Sequence, residues 1–157
     1  MKKNYWLMKS EPGEYSIQDL KESDQGIDYW DGVRNYQARN FMRDDMKIGD
    51  RVLFYHSGKK PAVVGTAKVV KEGYPDHTAW DSKSKHFDKR STSENPVWFM
   101  VDIQFESEFP SPLPLKELRR ISGLEDMMLL RKGMRLSVQP VTRKEFDIVV
   151  KTGRKKI

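Results

Sequence analysis

The sequence predicts an α+β fold: a small, mostly antiparallel β-barrel of about five to six strands, flanked by short helices. Runs of β-branched and aromatic residues recur along the chain. Short helical segments with recognisable capping residues lie between them, and clusters of Gly, Pro and Ser separate the two. The 157 residues suit one domain, spanning 1–157. A domain of that length buries roughly 70% of the surface its unfolded chain exposes, enough for a core without covalent staples.

Tyr5 to Lys9 is the first strand-like run. Ser16 with Asp19 three residues on resembles a capping box and opens a helix carrying Leu20. Asn35 to Met42 reads as a second helix with Ala38, Phe41 and Met42 apolar, leaving Asn35, Arg39 and Arg43 on a polar, basic face. Arg51 to His56 and Ala62 to Val70 are strands, joined across the turn cluster Ser57-Gly58-Lys59-Lys60-Pro61. Lys71 to Pro96 is long for a loop and therefore a candidate for function. Val97 to Phe105 is the fourth strand. Pro114 suits a first helical turn leading into Leu115 to Arg120, and Arg135 to Val138 is a short fifth strand. Thr142 with Glu145 opens a last helix, with Phe146, Val149 and Val150 apolar and Gly153 as its stop. From about 151 the chain is basic and is expected to be a mobile tail.

The net charge is +6 and the isoelectric point about 9.4, a balance that favours anionic partners such as nucleic acid. No apolar run approaches the ~20 residues of a membrane span, so no membrane partner is expected. The segment Met1 to Lys9 starts basic but lacks the apolar stretch of a signal peptide, and the absence of cysteine fits an intracellular chain; the expected location is cytoplasmic. Glycine-rich phosphate loops, the dinucleotide fingerprint and zinc-binding spacings are missing, and the three histidines His56, His77 and His86 are too scattered to ligate one metal. No cofactor, metal or catalytic residue is expected, and the protein reads as a binding module rather than an enzyme. His56-Ser57 does not suggest a nucleophile and its base, because neighbours on a strand point to opposite faces.

Three clusters set aromatic rings beside polar groups near strand ends: Trp30-Asp31-Gly32-Val33-Arg34-Asn35-Tyr36, Tyr55-His56-Ser57 and Trp80-Asp81. A pocket for a flat heterocycle needs ring faces for stacking and a few polar groups for its edge. Composition leaves open whether Trp30 and Trp80 line such a pocket or pack under loops. Trp6 and Trp98, inside strand runs, are assigned to the core.

At these residues the chain resembles an EVE domain, a PUA-like module of the thymocyte nuclear protein family. The resemblance runs from Trp6 to about Val149. It is carried by Trp6-Leu7-Met8-Lys9-Ser10-Glu11-Pro12, by Trp30 to Asn40, by Gly49-Asp50 with Phe54-Tyr55-His56-Ser57, and by Val64-Gly65 with Tyr74-Pro75-Asp76. Trp98 to Phe105 and Arg135 to Val141 complete it. Asp88-Lys89 departs from the family pattern, where a proline would be expected.

The resemblance implies a PUA-like barrel and kinship with YTH domains, which read a methylated adenine in RNA through an aromatic cage. It implies a non-catalytic reader of a modified base, a cytosine or adenine in DNA. The implied base pocket comprises Lys9, Ser10, Trp30, Val33, Arg34, Asn35, Tyr55, His56, Ser57, Trp80 and Asp81. Trp30 and Tyr55, with Trp80, would stack on the base, and Asn35, Ser10, Ser57 and Asp81 would meet its edge. Flanking phosphates would fall to Lys9, Arg34 and Arg39, and to Lys83, Lys85, Lys89 and Arg90 in the long loop. Three other readings stay open: an RNA-binding module on the same fold, a base- or backbone-modifying enzyme with His56 and Asp81 as its base pair, and a basic module for small molecules or proteins.

Overall fold

The structure, a computed structural model, describes residues 3–155. Residues 1–2 and 156–157, the ends of the basic start and of the expected tail, lie outside them. Six strands form one mixed sheet: β1 (Tyr5–Ser10), β2 (Ile27–Tyr29), β3 (Arg51–His56), β4 (Ala62–Pro75), β5 (Phe99–Pro114) and β6 (Val138–Val141). Their hydrogen-bonded order is β2-β5-β4-β3-β1-β6, so β2 and β6 are edges and the sheet is not closed into a barrel. Every pairing is antiparallel except β1 with β3, which run parallel in the register Tyr5↔Arg51 to Ser10↔His56. The α+β class stands as expected; the closure does not.

The helices are short: α1 (Ile17–Glu22), α2 (Tyr36–Asn40), α3 (Leu115–Leu118) and α4 (Arg143–Lys155). Both capping boxes form. Ser16 N–H donates to Asp19 and Asp19 N–H to Ser16 Oγ; Thr142 N–H donates to Glu145 and Glu145 N–H to Thr142 Oγ1. Asn35 caps α2, accepting from Ala38 N–H at 3.0 Å, and a π-turn over Phe41–Asp45 prolongs that helix. Among the described residues, no helix is long and apolar enough to cross a membrane.

Strand alternation divides the core into two. Trp6, Met8, Val52 and Phe54 face one side with Trp30, Met42 and Ile103; Leu7, Leu53 and Tyr55 face the other with Leu118, Phe146 and Val149. Trp6 and Trp98 are buried, and each satisfies its indole N–H on a carboxylate: Trp6 on Asp50 at 2.9 Å, Trp98 on Asp88 at 2.8 Å.

Several boundaries differ from the sequence expectation. β4 runs on to Pro75, so the real loop starts at Asp76. β5 runs to Pro114 through Pro110 and Pro112. Proline is tolerated there because β2 pairs only with Asp102 to Gln104, leaving the later stretch unpaired on that side. The fifth predicted strand begins later, at Val138. Gly153 does not end the last helix; α4 continues over it to Lys155, so the described residues of the expected tail are helical. A Cβ at Gly153 would overlap the Phe109 ring, so glycine is there for close packing of α4 on β5.

Candidate functional site

Because β1 and β3 are parallel, they end side by side, and Ser57 N–H donates to Ser10 C=O at 2.9 Å to hold the two exits together. Beyond these ends, on the Trp30 face, a cleft of about 690 Å³ opens. That volume is in the range of small-ligand sites. Lys9 and Ser10 bring β1 to it, Tyr15 the following loop, Asp28 to Asp31 the exit of β2, and His77, Thr78, Asp81, Ser84, Lys85 and His86 the β4–β5 loop.

The cleft is held by polar contacts. Ser10 Oγ donates to Tyr15 C=O at 2.5 Å, and Tyr15 Oη donates to Asp28 at 2.7 Å. Burial, and after it the Asp28 carboxylate, pushes the Tyr15 phenol far above its usual range, so it remains a donor. Behind the wall, Asp76 is fully buried and accepts from Gly32 N–H, Arg34 Nη1, Thr78 N–H and Thr78 Oγ1. Burial alone would raise its carboxyl. The donors on Thr78, Gly32 and Arg34 outweigh that and hold it below the usual value. Arg34 also donates to His86 C=O at 2.6 Å, tying the start and the middle of the loop to the Trp30 segment. Gly32 has φ +78°, and a Cβ there would strike the His86 imidazole, so this glycine lets the loop close on the β2 exit. Asp31 is pushed above the ordinary carboxylate range, chiefly by burial and secondarily by Asp76, against the pull of His86 at 3.9 Å. Its carboxylate oxygens face the cleft as acceptors for an amine.

Of the residues expected in one pocket, the structure brings Lys9, Ser10, Trp30 and Asp81 together, with Lys85 beside them. Trp30 is only 7% exposed and sits edge-to-face with Tyr15 and Phe54, so it is largely core and offers the cleft a rim. Val33 is buried core, and Arg34 is the clamp just described. Asn35 is exposed but spends its side-chain oxygen on the cap of α2. Tyr55 belongs to the opposite face of the sheet, where Lys9 Nζ lies 5.7 Å over its ring. Alternation along β3 dictates that: Phe54 and His56 face one way, Tyr55 the other. His56 Nε2 accepts from Ile17 N–H at 3.0 Å, so the imidazole caps α1; burial pulls its pKa down. His56 and Asp81 do not share a cleft, and the pairing needed for a general base is not made. Ser57 lines a separate cleft, and Trp80, half-buried, lines neither.

The phosphate candidates divide likewise. Arg39 donates to Val97 C=O and Asn40 and lies 4.9 Å over the Tyr36 ring. Arg90 pairs with Asp88 at 2.9 Å, and Lys85 pairs with Glu14 across the cleft mouth. Lys83 and Lys89 are exposed, with side chains unpaired among the described residues.

Sequence reasoning missed Tyr15, Asp28, Tyr29 and His77 as cleft residues. β2 has three residues, too few for a period to register, yet it carries Asp28 and Tyr29. Tyr29 is 42% exposed and meets His77 edge-on at 5.3 Å, so it presents more free ring than Trp30. Asp31 and His86 stood in segments singled out by their composition, without a reason to choose them. Among the described residues, no three His, Cys, Asp or Glu side chains converge to hold a metal ion.

Comparisons with known proteins agree with this architecture. The EVE domain family model matches residues 4–152. The chain is 45% identical to thymocyte nuclear protein 1 of Gallus gallus over 97% of its own length and 69% of that protein. The protein of the same name from Homo sapiens is 44% identical over 97% of this chain and 75% of its own. Among solved structures, a hypothetical protein from Leishmania major superposes with a TM-score of 0.92 at 44% identity, covering 98% of this chain and 96% of that one. Human THYN1 protein, in complex with 5-methylcytosine-containing DNA, gives 0.88 at 43% identity, covering 98% and 99%. The chain belongs to the EVE domain family.

Proposed function

We propose that the protein is a non-catalytic reader of modified DNA and that an extruded, modified cytosine enters the Trp30-face cleft. The observation that carries this reading is the pairing of carboxylates with aromatic edges in that cleft: Asp28 and Asp31 flank Tyr29 and Trp30. A carboxylate accepts from the exocyclic amine of cytosine, which thymine lacks. The complex of the similar human protein with 5-methylcytosine DNA supports the ligand class.

Extruding a base costs a few kcal/mol, and stacking on an aromatic returns ~1–3 kcal/mol. The Tyr29 ring therefore offsets only part of that cost, and hydrogen bonds from Asp31, Ser84 or a backbone group supply the rest. A methyl group in an apolar niche adds about 1 kcal/mol, enough for a preference of several-fold between methylated and plain cytosine.

A binding panel of oligonucleotides carrying cytosine, methylcytosine, hydroxymethylcytosine or methyladenine, each as DNA and as RNA, tests this. Tighter binding of DNA with a modified cytosine is expected, and the oligonucleotides should be recovered unchanged. Equal affinity across the panel, or preference for the RNA arm, would overturn the reading; turnover would make the protein an enzyme.

A further inference from the structure

A second cleft, of about 310 Å³, lies on the other face of the sheet, at the same exits of β1 and β3. Lys9 stands in the wall of both clefts. Tyr55 and Ser57 form its β3 side, and Arg119, Arg131 and Arg135 close it from α3 and the segment before β6. No carboxylate lines it.

Among the described residues Arg39, Arg120 and Arg154 also lack a carboxylate partner, but none of them lines this cleft, whereas five other arginines are neutralised. Arg34, Arg43, Arg51, Arg90 and Arg143 each lie within 4.0 Å of an Asp or Glu oxygen. Arg119, Arg131 and Arg135 have no such partner among the described residues; Arg119 donates only to Leu130 C=O at 3.1 Å. Three guanidinium groups and a half-buried ammonium facing one hollow repel one another. Clustered positive charge without an acid raises the local concentration of anions in the hollow. The Tyr55 hydroxyl, with no hydrogen-bond partner among the described residues, adds a neutral donor at the floor. The turn carrying Lys59 and Lys60 adjoins the cleft through Gly58 and Pro61, adding positive charge at its edge.

We propose that this second cleft binds the phosphodiester backbone of the nucleic acid whose base enters the first, with Arg119, Arg131 and Arg135 as its phosphate ligands and Lys9 at the junction. The ligand class rests on the reading of the first cleft; the site does not, because no residue of the loop after β4 contributes to it. Guanidinium groups bind phosphate oxygens in a bidentate manner, and carboxylate-free walls suit a polyanion. This places the main backbone contacts on the α3 and β6 side, away from Lys83, Lys85, Lys89 and Arg90.

The test measures binding of methylated and unmethylated DNA duplexes across a salt series for wild type, R131Q/R135Q and the control K151Q/R154Q on α4. All four side chains are exposed, so the variants are expected to fold. Each lost phosphate contact makes the slope of log affinity against log salt shallower by about 0.9, so the cleft variant should lose about 1.8 in slope and about sixtyfold in affinity at 0.1 M salt. The loss should be equal for both DNAs, and the control should keep the wild-type slope. An unchanged slope in R131Q/R135Q with methyl preference intact would overturn the second site and leave the base reading standing. A shallower slope in a protein that never distinguished methylated DNA would do the reverse. Equal loss in the control would mean a diffuse effect of net charge and would also overturn the site.

Discussion

The two clefts open at the same strand ends and share Lys9, yet their electrostatics are opposite. The one on the Trp30 face sets Glu14, Asp28, Asp31 and Asp81 against Lys9, Lys85, His77 and His86, while the one on the Tyr55 face has Lys9 and three arginines without an acid. Charges of both signs in a confined polar site act at hydrogen-bond range and discriminate by edge pattern. Unbalanced positive charge attracts any phosphate over about a Debye length, ~10 Å at 0.1 M salt, and discriminates little. Strand alternation sends Tyr55 to one side of the sheet and Phe54 and His56 to the other, and in the proposed reading that division separates selectivity from affinity.

Trp30→Ala should separate the two clefts most sharply. The ring is packed between Tyr15 and Phe54, so truncation should cost ~3–5 kcal/mol of stability, read by denaturant unfolding. An unfolding midpoint that does not move would mean that Trp30 is a ligand platform and not core. Next, Arg34→Met should cost about 3 kcal/mol, because it removes a charged donor from the buried Asp76 carboxylate. In protein that remains folded, base preference should fade while the salt slope persists, since the clamp serves only the first cleft.

Asp31→Ala should weaken binding of modified-cytosine DNA by about 1–3 kcal/mol in a fluorescence titration without changing the salt slope. A parallel loss on a control oligonucleotide without that base would show that Asp31 acts on loop structure instead.

Acidification should distinguish the clefts more gently. Burial holds the folded His56 pKa below the ordinary 6.5. Its contribution is therefore complete above about pH 6.5 and is lost as pH falls through that value towards the folded one, where the unfolded chain binds the extra proton. Protection factors for hydrogen exchange at the start of α1, corrected for the intrinsic pH dependence of amide exchange, should fall between pH 7 and 5 as the Tyr15 wall loosens, while the arginine cleft keeps its charge. Unaltered protection in that range would mean that the imidazole cap on Ile17 contributes nothing. The smallest effect should come from Lys85→Met. The Glu14–Lys85 pair is about 60% exposed on both sides, so stability should change by less than about 1 kcal/mol. Its effect on the salt slope should be smaller than that of R131Q/R135Q.

Every strand but β2, both capping boxes and the core placement of Trp6 and Trp98 were legible in the sequence because each rests on local pattern or on a strong burial preference. The cleft was legible only in part. Ser10, Lys9 and Asp81 reach it from segments whose composition marked them, but Asp28 and Tyr29 lie on a strand whose pairing with Asp102 to Gln104 is decided by tertiary structure. Tyr55 illustrates the complementary error. Its neighbours in sequence suggested a shared pocket with Trp30, whereas alternation along β3 sends it to the other face. Arg34 looked free because its carboxylate partner Asp76 lies 42 residues on, where sequence distance hides the contact; Arg90 pairs with Asp88 two residues before it, a local contact that a count of basic residues overlooks.

The position of β1 bears on how the chain is made. It forms the one parallel pairing among the described residues, with β3, and its other neighbour is β6, with Trp6 opposite Pro140 and Lys9 N–H donating to Ser137 C=O. A ribosome extending at ~5–20 residues per second needs roughly 7 to 27 seconds between making Trp6 and making Val141. During that interval Trp6, Leu7 and Met8 lack one flanking strand, leaving an apolar segment with an open hydrogen-bonding edge. Closing such a distant pair is slow, since loop entropy is spent before any contact repays it. Synthesis of this protein should therefore pass through a window in which chaperones that bind extended apolar segments compete with β6 for the edge of β1.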